Sequence, residues 1–205
     1  MKHLIFDFDG TIVDSGLLIY KNLVAYTGNN NLTWDELRGL SSREVLSAIG
    51  VSKLDLPHLI INIRNDFKLN LTQQPIVPGM AELMVELRQR GFCLHIVSSN
   101  SEENIRQFLV INNLHDIIDD VTGFFTIFGK SSGIKKLMKK LKTQQDAVIY
   151  IGDESRDIEA ARKAGIKCVA VTWGYNKEHV LMKDEPDYLA REVSDLLNIF
   201  RISPI

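Results

Sequence analysis

Short apolar segments alternate with amphipathic segments of helical spacing along most of the 205-residue chain. The apolar segments predict five strands, at Leu4–Phe8, Cys93–Val97, Val121–Phe128, Ala147–Ile151 and Cys168–Val171. The amphipathic segments predict helices at Met80–Arg90, Glu102–Ile111, Ile134–Leu141 and Ile158–Ala164. Near-continuous apolar strands separated by helices are typical of a parallel sheet that is covered on both faces. We therefore expect the α/β fold class, with a doubly wound parallel sheet that binds ligands at the carboxyl ends of its strands.

A stretch of about 60 residues after the first strand departs from this alternation. Its apolar residues predict four helices and no convincing strand, at Leu17–Tyr26, Trp34–Leu40, Arg43–Ile49 and Leu56–Leu69. Thr33 is placed to cap the second of these helices, and residues 73–79 resemble a hinge. We expect an all-helical domain over residues 15–78, inserted into an α/β domain of residues 1–14 and 79–205. Because the insertion begins just after the first strand, it would lie over the carboxyl edge of the sheet.

Composition excludes several classes of partner. The net charge of −2 provides no field that would attract nucleic acid or an acidic surface. Cys93 and Cys168 each lie in an apolar segment, which is typical of small buried residues in a reducing compartment. No apolar run approaches the roughly 18 residues of a membrane span, and acidic residues interrupt the first run before it could act as a secretion signal. We expect a cytoplasmic monomer or homodimer that binds neither nucleic acid nor a membrane.

Two carboxylates, Asp7 and Asp9, lie at the end of the first predicted strand, directly after the apolar run Leu4-Ile5-Phe6. Residues two apart in an extended chain point the same way, so both side chains could face one pocket. Their desolvation is costly unless they are neutralised, and Mg²⁺ prefers such hard oxygen ligands. Gly10 would allow the chain to turn sharply away from the strand. Taken alone, the segment is equally well interpreted as a polar strand end that leads into a turn.

Polar residues follow the next two predicted strands as well. Ser98–Ser101 precede a helix, where a hydroxyl and free backbone N–H groups could bind phosphate, although a plain N-cap is the commoner meaning. Lys130 would place an ammonium group where anions collect, or it begins a solvated basic face that continues with Lys135, Lys136, Lys139, Lys140 and Lys142. Neither interleaved aromatic residues nor overall positive charge supports RNA binding by that face.

The fourth predicted strand leads into Gly-Asp-Glu-Ser-Arg-Asp at residues 152–157, which contains a second acidic pair, Asp153 and Asp157. Each of the four strand-end segments is a weak or moderate signal alone. Together, in this order and all at strand ends, they predict one phosphate- and metal-binding site at the edge of the sheet.

The four segments resemble the motifs of the haloacid dehalogenase-like hydrolase superfamily, and within it the phosphoglycolate-phosphatase-like branch. The resemblance covers essentially the whole chain. Asp-Phe-Asp-Gly-Thr at residues 7–11 resembles the first motif, the apolar run that ends at Ser98 the second, Lys130 the third and residues 152–157 the fourth. The helical insertion resembles the small helical cap of that branch, on a Rossmann-like core. Many relatives have a proline-containing turn after the third-motif lysine, where this chain has Ser-Ser-Gly, so Lys135 is the alternative to Lys130.

The resemblance implies a role for each acidic residue. Asp7 would be the nucleophile that forms an aspartyl-phosphate. Asp9 would protonate the leaving alcohol and then activate water. Mg²⁺ would be held by Asp7, Asp153 and the backbone carbonyl of Asp9. Asp157 would orient Lys130 or a metal-bound water.

The resemblance also implies how substrate would be held. Ser98 and the N–H of Ser99 would bind phosphoryl oxygens, and Lys130 would offset negative charge on the phosphate and the nucleophile. In similar caps a loop reads the leaving group, which here would be residues 38–43. Arg43 could pair with an anionic substrate group and Gly39 could allow close approach, although a surface arginine on a helix–helix turn is an equal alternative.

The predicted function is a Mg²⁺-dependent phosphatase that hydrolyses a small phosphate monoester. A phosphomutase of the same branch is the first alternative, and it would need groups that shield the aspartyl-phosphate from water. His58, the only histidine of the insertion, gives that alternative little support. The second alternative is a non-catalytic regulatory module that binds phosphate and Mg²⁺. It would be favoured if one of the four motifs were missing.

Overall fold

The structure is a computed structural model, which describes residues 2–28, 31–52, 54–124 and 129–202. Six parallel strands form one sheet in the order β3-β2-β1-β4-β5-β6. The strands are β1 (His3–Phe6), β2 (Cys93–Ser98), β3 (Asp120–Gly123), β4 (Val148–Gly152), β5 (Lys167–Val171) and β6 (Tyr188–Ala190). The prediction of an α/β fold with a doubly wound parallel sheet is confirmed.

All five predicted strands are present, and the bounds of β1, β2, β4 and β5 differ from the prediction by one or two residues. The third predicted strand, Val121–Phe128, is observed as Asp120–Gly123, and its residues 125–128 lie outside the described part of the chain. The strand Tyr188–Ala190 was not predicted, because three residues are too short to produce a recognisable apolar pattern.

Helices flank the sheet and form the segment after β1. In the described ranges they are α1 (Gly16–Thr27), α2 (Trp34–Leu37), α3 (Ser42–Ala48), α4 (Leu56–Leu69), α5 (Met80–Gln89), α6 (Glu102–Ile111), α7 (Lys130–Leu141), α8 (Ser155–Ala164), α9 (Glu178–Leu181) and α10 (Val193–Ile202). None of these helices is both long and apolar enough to cross a membrane.

The central strand, β1, sets the position of the site. Phe6 at its end lies beside Ile96 of β2 and Ile151 of β4. The chain builds outward from β1 through β2 to β3, and then returns to β4 and builds outward through β5 to β6. The direction of winding therefore reverses between β1 and β4, and the crevice at their carboxyl ends is where such folds bind ligands.

A hydrophobic core lies on each face of the sheet. Side chains alternate along β1, so Leu4 and Phe6 belong to one core and Ile5 to the other. The first core contains buried residues of α5, α6 and α10, and the second contains residues of α7 and α8. Helices on both faces explain why the strands read as almost continuous apolar runs.

Helices α1–α4 surround a third core of their own, which contains Leu23, Leu37, Ile49, Leu56 and Leu59. The regular elements described between residues 16 and 69 are all helices, as the apolar spacing predicted. The predicted cap at Thr33 is present. Its hydroxyl accepts the N–H of Glu36 at 3.3 Å, and the Glu36 carboxylate accepts the N–H of Thr33 at 2.7 Å.

Two chain segments connect α1–α4 to the rest of the protein. The N–H of Asp14 donates to the carbonyl of Pro75 at 2.9 Å, and the N–H of Val77 donates to the carbonyl of Ile12 at 2.9 Å. The outgoing and returning segments thus run side by side, at the place where residues 73–79 resemble a hinge.

Phe8 ties the first motif to the helices around it. The side chain is fully buried. Its ring centroid lies 5.7 Å from that of Phe67 in α4 and 5.2 Å from that of Phe108 in α6. The residue between the two motif carboxylates therefore packs against both the helical insertion and the helix that follows β2.

We expect Phe8→Ala to lower the free energy of unfolding by about 3–5 kcal/mol, the usual loss for a buried phenylalanine. Urea denaturation followed by circular dichroism measures the loss. Leu54→Ala is the control, because Leu54 is 87% exposed and such surface changes stay within about 0.5 kcal/mol. A similar small loss for both variants would contradict this account of Phe8.

Candidate active site

Asp7 lies directly after β1 and is held by backbone and side-chain contacts. Its N–H donates to the carbonyl of Ile151 at 2.8 Å, which continues the pairing of β1 with β4 by one residue. Its Oδ1 accepts the N–H of Phe8 at 2.8 Å, and its Oδ2 accepts the ammonium of Lys130. Asp7 is 1% exposed. Because its backbone extends the pairing of β1 with β4, the sheet sets its position at the crevice.

Asp153 follows β4 and faces the turn after β1. Its Oδ1 accepts the hydroxyl of Thr11 at 2.7 Å, and its Oδ2 accepts the N–H of Tyr175 at 2.7 Å. A Cβ atom at Gly10 or at Gly174 would lie 2.2 Å from that Oδ2 atom. Glycine is therefore required on both sides of this carboxylate, and Gly10 also has a φ of +75°.

Lys130, at the start of α7, lies between two carboxylates. Its ammonium group donates to Asp7 and to Asp157, and all three side chains are buried. Burial lowers the pKa of Lys130, but the charges of Asp157 and Asp7 outweigh burial, and the net shift is upward. Lys135, the alternative from the sequence, is exposed on the same helix. The structure therefore brings Lys130 into the site and leaves Lys135 outside it.

Asp157 contacts Lys130 from the first turn of α8. Its Oδ2 accepts the N–H of Glu154 at 3.1 Å, and its Oδ1 accepts Lys130 and lies 3.5 Å from the hydroxyl of Tyr150. These contacts hold the carboxylate in one orientation against the ammonium group.

Three buried carboxylates, Asp7, Asp153 and Asp157, bring ligand oxygens within 4.8 Å of one another. Burial, followed by the charges of Glu154 and Asp7, raises the pKa of Asp153 well above its usual value. Burial likewise raises the pKa of Asp7, against the opposing charge of Lys130, and that of Asp157 to about 6. A divalent cation would stabilise the ionised forms, and the oxygen donor set fits Mg²⁺.

Asp9 lies outside that cluster of ligand atoms. Its Oδ1 accepts the hydroxyl of Ser15 at 2.8 Å, and its Oδ2 accepts the side-chain amide of Asn100 at 3.0 Å. Burial raises the pKa of Asp9, and these two hydrogen bonds oppose the shift. A carboxyl group with a raised pKa is suited to proton donation. Neither Ser15 nor Asn100 was assigned a role from the sequence, although Asn100 lies in the predicted phosphate-binding segment.

Ser98 ends β2 and is fully buried. Its hydroxyl accepts the N–H of Asn100 at 3.1 Å. The N-cap of α6 is Ser101, whose hydroxyl accepts the N–H of Asn104 at 3.1 Å. The capping function thus belongs to Ser101, and Ser98 and Ser99 lie between it and the sheet.

A cavity of about 160 Å³ lies between helices α1–α4 and the carboxyl edge of the sheet. Asp9, Ser99 and Asn100 line it from the sheet side. Arg64 of α4 lines it too, and its guanidinium donates to the carbonyl of Ser99 at 3.0 Å and to the carbonyl of Phe124. Arg64 occupies the otherwise apolar stripe of α4, and a cation on such a stripe is the sequence signal that could have identified it.

An ion pair between the buried Glu154 and the partly buried Arg156 also lines the cavity. Glu154 accepts the hydroxyl of Ser42 in α3 at 2.7 Å, so the pair joins the fourth motif to the helical insertion. Both residues lie inside the motif quoted from the sequence, which assigned them no role.

The loop of residues 38–43 contacts segments that follow strands of the sheet, and it does so through Arg38 and Ser42. Arg38 donates to the carbonyls of Gly174 and Thr172 at 2.8 and 3.0 Å. Arg43 is 73% exposed, with its guanidinium 3.6 Å from the Glu159 carboxylate. Neither Arg43 nor Gly39 lines the cavity. The predicted roles of Arg43 and Gly39 in substrate selection stay predictions.

Comparisons with known proteins agree with the geometry. A family model described as haloacid dehalogenase-like hydrolase matches residues 4–171. A phosphoglycolate phosphatase from Synechococcus elongatus is 37% identical over 203 residues, which cover 96% of each chain. The putative pyrophosphatase PpaX of Caldanaerobacter subterraneus is 26% identical over 212 residues, 97% of this chain and 94% of its own. The crystal structure of a predicted phosphatase from Clostridium acetobutylicum shares the fold, with a TM-score of 0.83, 22% identity and coverage of 98% and 99%.

We expect Lys130→Met to lower the free energy of unfolding by about 3–5 kcal/mol, because Asp7 and Asp157 would be left buried without their cation. Lys135→Met is the matched control, since it removes an exposed lysine from the same helix and should change stability by no more than about 0.5 kcal/mol. Urea denaturation without divalent metal compares the two variants. Equal losses would contradict the placement of Lys130 between the carboxylates.

Proposed function

This chain belongs to the haloacid dehalogenase-like hydrolase family, and we propose that it is a Mg²⁺-dependent phosphatase that hydrolyses a small phosphate monoester through an aspartyl-phosphate. The sequence-based prediction of this family, and of a hydrolase within its phosphoglycolate-phosphatase-like branch, is confirmed. The observation that carries the proposal is the buried contact of Lys130 with Asp7 and Asp157 at the crevice between β1 and β4, with Asp153 beside it.

The proposal includes a division of labour between two domains. Residues 1–14 and 79–205 form the core domain that carries the motifs, and residues 15–78 form a helical cap. The separate hydrophobic core of α1–α4 supports this division, as do the two adjacent connections near residues 14 and 76.

Asp7 is the nucleophile in this proposal. Its Oδ2 contacts Lys130 and its Oδ1 accepts the N–H of Phe8, so the carboxylate is oriented before substrate arrives. A carboxylate oxygen forms a bond to phosphorus while the bond from phosphorus to the alcohol oxygen breaks. Water then attacks the phosphorus of the aspartyl-phosphate, which releases inorganic phosphate and regenerates the Asp7 carboxylate.

Asp9 transfers the protons. In its acid form it protonates the departing alcohol oxygen, and as a carboxylate it then accepts a proton from the attacking water. Burial raises its pKa, which favours the acid form at the first step. Ser15 and Asn100 hold the side chain at the wall of the cavity, where an alcohol would leave.

The phosphoryl group is bound by Ser98, by the N–H of Ser99 and by Lys130, which offsets its charge. Asp157 orients Lys130 through the buried contact between them. Asp7, Asp153 and the backbone carbonyl of Asp9 would hold Mg²⁺. When bound, the ion neutralises the clustered carboxylates and polarises a phosphoryl oxygen.

The phosphomutase alternative gains nothing from the described residues. His58 is exposed and does not line the cavity. We therefore keep hydrolysis as the proposed reaction.

We expect Asp7→Asn to lower phosphate release by at least about 100-fold, because an amide oxygen cannot form the acyl phosphate. The assay uses a panel of phosphate monoesters with Mg²⁺, with EDTA, and with Mg²⁺ restored after EDTA. Asp35→Asn is the control, since Asp35 lies exposed on α2. Retention of more than about one per cent of the wild-type rate by Asp7→Asn would contradict the proposal.

Asp9→Asn tests the intermediate directly. With an ester whose leaving group needs no protonation, this variant should still phosphorylate Asp7 but hydrolyse the product slowly, because no base activates the water. Intact-protein mass spectrometry should then detect the added phosphoryl group in Asp9→Asn and not in the double variant that also carries Asp7→Asn. If the double variant is phosphorylated to the same extent, Asp7 is not the nucleophile.

A further inference from the structure

The cavity beside Asp9 has one polar end and an apolar interior. Asp9, Ser99 and Asn100 form the polar end on the sheet side, and aliphatic side chains of α1–α4 form most of the remaining wall. The other polar residues of the wall are Ser42, Arg64, Glu154, Arg156, Tyr175 and Asn176. Representative wall residues are Leu23, Leu37, Val45, Leu59 and Ile60. We call this space the leaving-group chamber. Its volume of about 160 Å³ is close to that of an apolar cavity of about 150 Å³ known to hold benzene.

We propose that the leaving-group chamber binds the alcohol part of the substrate, and selects phosphate monoesters whose alcohol carries an uncharged apolar group about the size of a six-carbon ring. This inference rests on the proposed phosphatase function and specifies its substrate class.

The position of the chamber relative to the reacting groups supports the assignment. In the proposed reaction Asp9 protonates the departing alcohol oxygen, so the alcohol leaves beside Asp9. Asp9 itself lines the chamber, so the alcohol oxygen lies at the polar end and its carbon body extends among the aliphatic side chains. Arg64 closes the space from the α4 side through its contacts with the carbonyls of Ser99 and Phe124.

The charges of the chamber argue against a second anionic group on the substrate. Its described charged residues are Asp9, Arg64, Glu154 and Arg156, two acids and two bases. Arg156 is paired with Glu154, which also accepts the hydroxyl of Ser42, and Arg64 donates to two backbone carbonyls. A carboxylate on the alcohol would add a third acid to a lining in which acids and bases are balanced, and it would lose its hydration beside aliphatic side chains, which is costly. An apolar body gains free energy from burial at the same place.

Four esters of primary alcohols separate the effects of size and charge. They are ethyl phosphate, phosphoglycolate, 2-phenylethyl phosphate and 2-(4-carboxyphenyl)ethyl phosphate. We expect kcat/KM for the phenylethyl ester to exceed that for the ethyl ester at least about tenfold, which reflects burial of one ring. We expect kcat/KM to be lower for phosphoglycolate than for ethyl phosphate, and lower for the carboxyphenylethyl ester than for the phenylethyl ester.

Variants of the chamber wall locate the effect. Val45→Phe should reduce the preference for the phenylethyl ester over the ethyl ester at least about tenfold, because the new ring occupies the same space. Ser47→Phe is the matched control, since it adds the same ring on the exposed face of α3 and should leave the preference unchanged. Ile60→Phe, on α4, repeats the test if Val45→Phe fails to fold, which thermal denaturation would detect.

Three results would overturn the inference. They are a faster reaction with phosphoglycolate than with the phenylethyl ester, equal rates for all four esters, and equal effects of Val45→Phe and Ser47→Phe. If Arg43→Ala instead abolished hydrolysis of the two phosphate esters that carry a carboxylate, the result would favour substrate selection by the loop of residues 38–43. Failure to hydrolyse any of the four esters with Mg²⁺ would contradict the proposed phosphatase function itself, so the two failures are distinguishable.

Discussion

The contact of Lys130 with Asp7 and Asp157 is the interaction on which the rest of the site depends. All three groups are buried, so each charge is tolerated only because its partner lies beside it. The sheet holds Asp7 through the N–H that continues β1 pairing with β4, and α8 holds Asp157 at its first turn. Asp153 adds a third buried carboxylate to this cluster. One lysine does not balance three acids, which is the physical reason why the site suits a divalent cation.

The helical insertion covers part of this crevice and forms the opposite wall of the cavity. Arg38 and Arg64 donate to backbone carbonyls near the ends of β5, β2 and β3, and Ser42 donates to Glu154. These contacts lie just after the carboxyl ends of the strands, at the same edge of the sheet as the four motifs. The cavity that results is lined by Asp9, by aliphatic side chains of α1–α4 and by the charged residues Arg64, Glu154 and Arg156. A phosphatase built this way would choose its substrate with the helical segment and perform its chemistry with the sheet.

Most of the sheet and of the proposed catalytic residues could be predicted from short segments of sequence. Five of the six strands were predicted, because strands buried on both faces are apolar throughout. Asp7, Asp9, Ser98, Lys130 and Asp153 were identified because each lies at or just after the end of a predicted strand. The strand Tyr188–Ala190 was missed because it is short, and Ser15, Asn100, Arg64 and Arg156 were missed because none of them directly follows a predicted strand.

The order of the strand-end residues was sufficient to identify the family, and it indicated one candidate site, since parallel strands bring their carboxyl ends to one edge whatever the loops do. The residues that line the cavity could not be predicted from the order of the strand-end residues. Helical spacing shows that α4 has an apolar stripe, but not which neighbour that stripe faces or why Arg64 lies within it. The tertiary contacts answer both questions, since Arg64 meets carbonyls 35 and 60 residues away in the chain. Ser42 likewise meets Glu154, 112 residues away, at the cavity, whereas the adjacent Arg43 is exposed, a difference that no local pattern encodes.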